Sequence, residues 1–373
     1  MDNNKKFNLF TLISFFAKSM IEIFIPIILY NRGFNIEEIF TYMLFQYLLS
    51  IIVIYFIPKL NSLIKYKGLV VLNTIFFIVM YIFLFNMNNT ILNLFFLALF
   101  YTIHTSIFWI LRHIYVIDIH PMKNLSKNVG NILIFTELAY LFSSYIGAFI
   151  LEKYNNIILI IIAAILLIIS NVILLTIKIK PVESKINLKI IKEIPLKNII
   201  FFILEQFKVI GIFIFPLYLT IYLNVSYKFI GLFNIVIGIS SIIFIFLFSR
   251  FINKKKKSYL FITTIFYTIL WFLKVNVKVK IYILIIAFLE GIISKIYQTS
   301  VTRFLYALGK HYNTLEYVTI TEILFNIIRS IIIFTALFFI KDLKILLYMC
   351  IIGLFLTGII RFDDLNDNEI HNN

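Results

Sequence analysis

Cysteine is almost missing from this chain: Cys350 is the one thiol in 373 residues. An intramolecular disulfide and a cysteine-based metal site are therefore excluded. Acidic residues are also few, 18 against 34 lysines and arginines, and charged residues of both signs make up only 14% of the sequence. Soluble domains carry roughly a quarter. The chain has no Walker-type phosphate loop, no HExxH, no His/Asp/Cys cluster at metal-ligand spacing and no GxSxG with a plausible Ser/His/Asp set. Nucleotide hydrolysis, zinc-dependent hydrolysis and serine-hydrolase chemistry have nothing to stand on. The expectation is a protein that is not an enzyme and carries no metal and no cofactor.

What fills the chain instead is apolar. It is 62% hydrophobic and 18% aromatic, with a mean hydropathy of +1.00. Runs of about 20 apolar residues, enough to cross a ~30 Å hydrocarbon core as helix, recur along its length. Twelve are read here, at 8–30, 39–60, 68–86, 91–115, 128–151, 157–177, 199–223, 230–249, 259–275, 281–305, 315–340 and 345–361. The gaps are short, so no soluble domain and no large catalytic loop fits between them. The first run is too long for a cleaved signal peptide and lacks a small-residue cleavage site. The expected fold is an all-α, multi-pass protein integral to the cell membrane.

The net charge of +16 invites a nucleic-acid reading, but its distribution argues for a membrane one. Basic residues gather in alternate loops, 22 on the side that includes Lys5 and Lys6 and eight on the other. Coding bias toward Lys, Ile, Asn and Phe accounts for the total but not for the alternation. By the positive-inside rule both termini are expected in the cytoplasm, and no nucleic-acid partner is expected.

The coarse plan is six spans (1–177), a charged break (178–198), six more spans (199–361) and an acidic cytoplasmic tail (362–373). In the break, Ile186, Ile190, Ile191 and Ile194 share one helical face and Lys185, Lys189 and Lys192 another. A short basic amphipathic helix on anionic lipid fits this pattern, and so does a solvated linker. Shifted by 190 residues, the halves superpose Lys18 on Lys208, Pro26 on Pro216, Lys65 on Lys255, Lys67 on Lys257 and Thr74 on Thr264. Arg112 and Tyr115 match Arg303 and Tyr306 after a one-residue slip, and Thr136-Glu137 matches Thr321-Glu322. Parallel six-span repeats place a solute site at their interface near mid-membrane.

Nine ionisable residues interrupt the apolar runs: Lys18, Glu22, Glu137, Glu205, Lys208, Glu290, Lys295, Glu322 and Arg329. A charge at the centre of a bilayer helix costs roughly 2.5–3.5 kcal/mol on insertion scales, so nine cannot face lipid. They must face protein or a water-filled path, which points to transport of a solute or a proton.

Twelve spans in two halves, with a basic loop after span two (Pro58–Gly68) and its counterpart after span eight (Ser249–Lys257), resemble the major facilitator superfamily over nearly the full length. The family's loop Asp falls on Ser62. Span five, reading Ala139-Tyr-Leu-Phe-Ser143-Ser144-Tyr-Ile-Gly147-Ala148, keeps the small-residue spacing of the family's antiporters without their Pro. The resemblance implies two six-helix bundles related by a pseudo-two-fold axis, working as a monomer by alternating access. It also implies that spans one and seven line a cavity, which would bring Lys18 and Lys208 to mid-membrane, as in the organic-phosphate antiporters.

Two readings of that placement stand side by side. Lys18 and Lys208 can bind an anionic or zwitterionic solute together. Alternatively Glu22, four residues after Lys18, and Glu205, three before Lys208, neutralise them on the same helix face. Glu290 and Lys295 are too far around span ten to pair with each other, and Glu322 and Arg329 lie two turns apart, so each needs a partner on another helix. Glu205, Lys295 and Arg329 complete the expected binding set. Glu137, Glu322, Glu290 and His104 are the candidates for proton coupling, because a buried carboxyl or imidazole can exchange a proton. Gln46, Asn73, Gln298 and Asn326 are expected as polar lining, and Trp109 and Trp271 as interfacial aromatics. The function expected is a proton-coupled secondary transporter of a small organic solute. A lipophilic-cation exporter centred on Glu22 and a lipid-linked-oligosaccharide flippase are the alternatives.

Overall fold

The structure is a computed structural model, and it describes residues 2–119, 125–154, 156–177, 193–252, 257–340 and 342–360. Helix dominates, and no strand occurs among the described residues. The first half holds α1 (Asn3–Ser19), α2 (Ile25–Asn31), α3 (Ile36–Asn86), α4 (Ile91–Ile119), α5 (Leu125–Lys153) and α6 (Asn156–Leu175). The second holds α7 (Leu196–Leu223), α8 (Tyr227–Ile252), α9 (Lys257–Asn276), α10 (Lys280–Gly309), α11 (Thr314–Thr335) and α12 (Leu343–Ile360).

Helices and spans do not correspond one to one. Span one is α1 and α2 together, broken by a 3₁₀ turn at Glu22–Phe24. Pro26 opens α2 and has no N–H to give to the Glu22 carbonyl, so the α-helical ladder cannot run through. Conversely α3, at 51 residues, is two spans joined at Lys65, whose φ of 58° and ψ of 172° leave the helical region. An Asn35–Glu38 capping box starts α3, and Arg32 donates to the carbonyls of Phe85 and Met87 at its far end. Pro216 lies inside α7 without interrupting it. Among the described residues ten helical stretches are long and apolar enough to span, α1 and α2 counting as one and α3 being long enough to do so twice, and the apolar stretch Phe261–Asn276 of α9 is the shorter one. Twelve spans result, as the apolar runs predict. Most of the expected amphipathic linker and the whole acidic tail lie outside the described residues.

Large apolar side chains such as Ile161, Val172, Phe266 and Phe288 are exposed on the outer surfaces, where lipid would meet them. Between the halves, α5 packs on α8 and α3 packs on α11, the same pairing reproduced by the repeat. Close packing of α5, against its own half as well as across this seam, depends on small residues. Ser143 hydrogen-bonds Ser19 of α1, and a Cβ on Gly147 would sit 2.0 Å from the Met20 carbonyl oxygen. From the other side, a Cβ on Gly231 of α8 would approach the Tyr145 Cα at 2.8 Å. Helix α5 is thus held on both flanks at backbone contact distance.

Gly147→Ala and Gly130→Ala are therefore expected to have opposite signs. The first drives a methyl group into backbone and should lower the unfolding temperature in detergent. The second meets nothing within 4 Å and should be neutral or stabilising by up to about 1 kcal/mol, the helix-propensity difference.

Candidate functional site

All nine intramembrane ionisable side chains are turned inward, and most have found a partner. On span one, Lys18 Nζ lies 3.2 Å from Glu22 Oε1 and 3.1 Å from His104 Nε2 on α4. The other ring nitrogen of His104 is 3.2 Å from the Asn73 carbonyl, which suits a proton on Nδ1 and a lone pair facing Lys18. The ammonium also lies 4.1 Å over the Phe108 ring. Tyr42, Tyr81 and Tyr101 stand within electrostatic reach of the Glu22 carboxylate.

The second half repeats this design. Lys208 on α7 pairs with Glu205, and Tyr297 of α10 donates to the same carboxylate. The Lys208 ammonium lies 4.5 Å over the Tyr297 ring. In each half, then, the ion pair on the first span is clasped by a ring from the fourth. Each lysine is neutralised within its own half, the second of the two arrangements open from sequence.

Glu137 and Glu322 instead join one half to the other. Lys295 of α10 approaches Glu137 of α5 at 2.5 Å, with Gln298 Oε1 accepting a second bond at 2.7 Å. Glu322 of α11 meets His113 of α4, 3.4 Å from Nε2. His113 Nδ1 is 2.9 Å from the Tyr306 hydroxyl, which also receives a bond from Arg112 at 3.2 Å. The helix pairs α5–α10 and α11–α4 are equivalent under the repeat. Beside them Lys310 donates to the Ile117 carbonyl near the end of α4 at 2.6 Å. Glu137 and Lys295 lie near the middle of their helices, whereas Arg112, His113 and Lys310 lie toward the end of the bundle where α1 begins, here named the N face. At the opposite face Asn31 donates to Tyr227 at 2.7 Å, and Lys228 pairs with Glu152 at 2.8 Å. Both faces are thus bridged between the halves.

Glu290 takes a partner that sequence reading missed. Lys274 of α9 contacts both its carboxylate oxygens, at 2.8 and 2.9 Å, and lies 3.5 Å over the Trp271 ring. Lys274 stands near a span end and so counts with a loop on sequence alone, yet it is buried. Trp271 is fully buried too, not interfacial, because it covers this pair and packs on Gly211.

Of the arginines without an ion-pair partner among the described residues, Arg112 and Arg329 are turned into the interior. Arg329 of α11 donates from Nε to Gln206 of α7 at 2.8 Å, with the rings of Tyr47 and Phe325 each 5.9 Å from its guanidinium carbon. Arg112 is 6% exposed and lies 5.3 and 5.1 Å from the rings of Phe15 and Trp109. Sequence reading counted Arg112 with a loop because the apolar run ends near 115; the helix runs on to Ile119 and draws it inside. His113 and Tyr297 had no signal in a single sequence beyond lying in an apolar run.

Two bundles of six spans, α5 on α8 and α3 on α11, and charge concentrated along the seam between them match one known architecture. The sequence profile of the Major Facilitator Superfamily aligns with residues 7–314. The chain belongs to this superfamily of transporters. Its fold is similar to that of a bacterial homologue of the iron transporter ferroportin, solved in an outward-facing state (TM-score 0.70, 13% identity, 96% of this chain and 98% of that one). It is equally similar to the human organic anion transporter MFSD10 (TETRAN) (TM-score 0.69, 10% identity, the same coverages). Sequence comparison with curated proteins finds no match. As a superfamily member the chain is a multi-pass membrane transporter of a small-molecule solute.

Glu290→Gln leaves the Lys274 ammonium buried and uncompensated, a loss of about 3–5 kcal/mol for a pair broken on one side. The expected result is poor yield of folded protein, with partial recovery in Lys274→Met/Glu290→Gln. Size-exclusion profiles and unfolding temperatures of the two variants beside the wild type measure it.

Proposed function

We propose that the protein is a secondary active transporter of a small organic anion, driven by protons and working by alternating access. The observation that carries the reading is the unequal pairing of charge. Each intramembrane carboxylate has a Lys or His partner within 4 Å, whereas Arg112 and Arg329, one in each half, have no carboxylate at that distance among the described residues. A guanidinium with no carboxylate in direct contact leaves its planar fork open to an anion, and that fork matches a carboxylate or phosphate. Gln206 and Tyr47 would orient the solute at Arg329, and Tyr306 at Arg112. Lys18 and Lys208, each neutralised by its own glutamate, supply a field only when those pairs open, and they join the site at that stage.

Coupling follows from the pairs that cross the seam. Opening the N face separates α4 and α5 from α10 and α11, so Glu137–Lys295 and Glu322–His113 must part. A proton on Glu137 or Glu322 removes the charge attraction that holds them, which ties proton binding to the opening of this face. Glu290 and Glu22 sit in pairs within one half, so parting the halves does not break them. His104, locked between Lys18 and Asn73, acts on Lys18. The basic loops set the N face in the cytoplasm. Moving Lys274 and Arg112 to the interior takes one cation from each side and leaves that asymmetry in place.

Purified protein is expected to gain thermal stability from at least one organic carboxylate or phosphate ester in a panel that also holds sugars, amino acids and lipophilic cations. Arg329→Gln and Arg112→Gln should each cut that gain by at least half. Stabilisation by lipophilic cations alone would overturn the anionic assignment. In proteoliposomes, Glu137→Gln should abolish accumulation driven by a pH gradient while solute exchange at equal pH persists. Undiminished pH-driven accumulation in Glu137→Gln and Glu322→Gln would remove both carboxylates from the coupling.

A further inference from the structure

On the outer surface of the first half, away from the seam, spans two, three and four do not close against one another. They leave a cleft of about 230 Å³ with no polar surface in it. Phe56 and Leu60 line it from span two, Leu72 and Phe76 from span three, and Ile103 and Ile107 from α4. On span two the lining extends back to Ile52, eight residues or about 12 Å of helix, so the cleft runs from mid-membrane toward the N face.

At that end the chain turns through Lys65, and the turn carries Lys59, Lys65 and Lys67. All three are exposed, and none forms an ion pair among the described residues. From Pro58 to Gly68 there is no Asp or Glu. Ser62, where the superfamily's loop carries an acidic residue, donates to the Lys59 carbonyl in its own turn and neutralises nothing.

An apolar slot that ends beneath three ammonium groups matches one kind of bilayer molecule, a chain of methylenes joined to a phosphate. We propose that the cleft and the Lys59–Lys67 turn form a binding site for an anionic phospholipid of the N-face leaflet. One acyl chain lies along Phe56, Leu72 and Ile103, and the headgroup phosphate rests on the lysines. A neutral lipid offers the same chain, but its choline meets the ammonium groups with like charge; the turn therefore selects for net negative charge. The bound chain would brace span two, whose Tyr47 lies at the seam beside Arg329. The site would thus join lipid composition to the contact between the halves.

Native mass spectrometry of the full chain, loaded from equimolar phosphatidylglycerol and phosphatidylcholine of identical acyl chains, tests this directly. Wild type should retain phosphatidylglycerol in preference. Lys59→Gln/Lys65→Gln/Lys67→Gln changes only exposed side chains and should lower that preference by more than tenfold, at about fivefold per lysine near the surface. Leu72→Phe/Ile103→Phe fills the slot and should reduce retention of both lipids with the lysines intact, its folding checked by an unchanged elution profile. Equal retention of the two lipids by wild type overturns the proposal, as does an undiminished preference in the lysine variant. Wild-type retention in a folded, filled-slot variant also overturns it, because the lysines would then act only as diffuse surface charge.

Discussion

The cost of leaving a charge in hydrocarbon governs this molecule. Ten chain segments and more are free to present apolar surface outward, but Lys18, Lys208, Lys274, Lys295 and their glutamates are not. Each must find an opposite charge or a ring face, and the helices are arranged so that each does. The core is consequently organised around polar pairs with aromatic covers: Phe108 on Lys18, Tyr297 on Lys208, Trp271 on Lys274. Apolar packing supplies the bulk, but it is the pairs that specify which helix faces which, because apolar surface alone finds little preference between a neighbour and a lipid tail.

Those pairs divide by what they join. Lys208–Glu205 and Lys274–Glu290 lie within the second half and tie its helices to one another, while Lys18–Glu22 lies within the first half, across the break in span one. Glu137–Lys295 and Glu322–His113 cross between halves, and the repeat carries one helix pairing onto the other. A chain duplicated and then diverged would keep its helix contacts while exchanging their chemistry. The replacement of a lysine–carboxylate pair by a histidine–carboxylate pair in the equivalent helix pair has that character.

Fold and span number were legible in the sequence because they depend on apolar run length, which a single chain displays openly. Proline alone does not mark a break: Pro26 lies beside the interruption of span one, whereas Pro216 at the matching position leaves α7 unbroken. Partners were harder to read. That Lys18 would meet Glu22 follows from a spacing of four on one helix, but that Lys295 would meet Glu137 depends on packing between halves and leaves no mark in either segment. Lys274 and Arg112 show the particular weakness: a charge near the end of an apolar run reads as part of the adjoining loop, although its helix carries it inside. Trp271 erred in the same direction, since a tryptophan near a span end reads as interfacial until a buried ammonium needs its face. The sequence match to the superfamily and the fold agree with the apolar pattern.

Span one's interruption has a mechanical meaning. The outer piece, Ile25–Asn31, belongs by sequence to the first half but touches α7 and, through Phe24 and Asn31, Tyr227 of the second. The inner piece, α1, is bound to α5 and α6 of its own half. Between them sits Glu22, on a turn where Pro26 has removed the hydrogen bond that would stiffen the joint. A tilt of the outer piece with the second half therefore moves a carboxylate relative to an ammonium fixed on α1. Displacement at one surface of the membrane is thereby converted, at a single flexible joint, into a change of electric field in its interior.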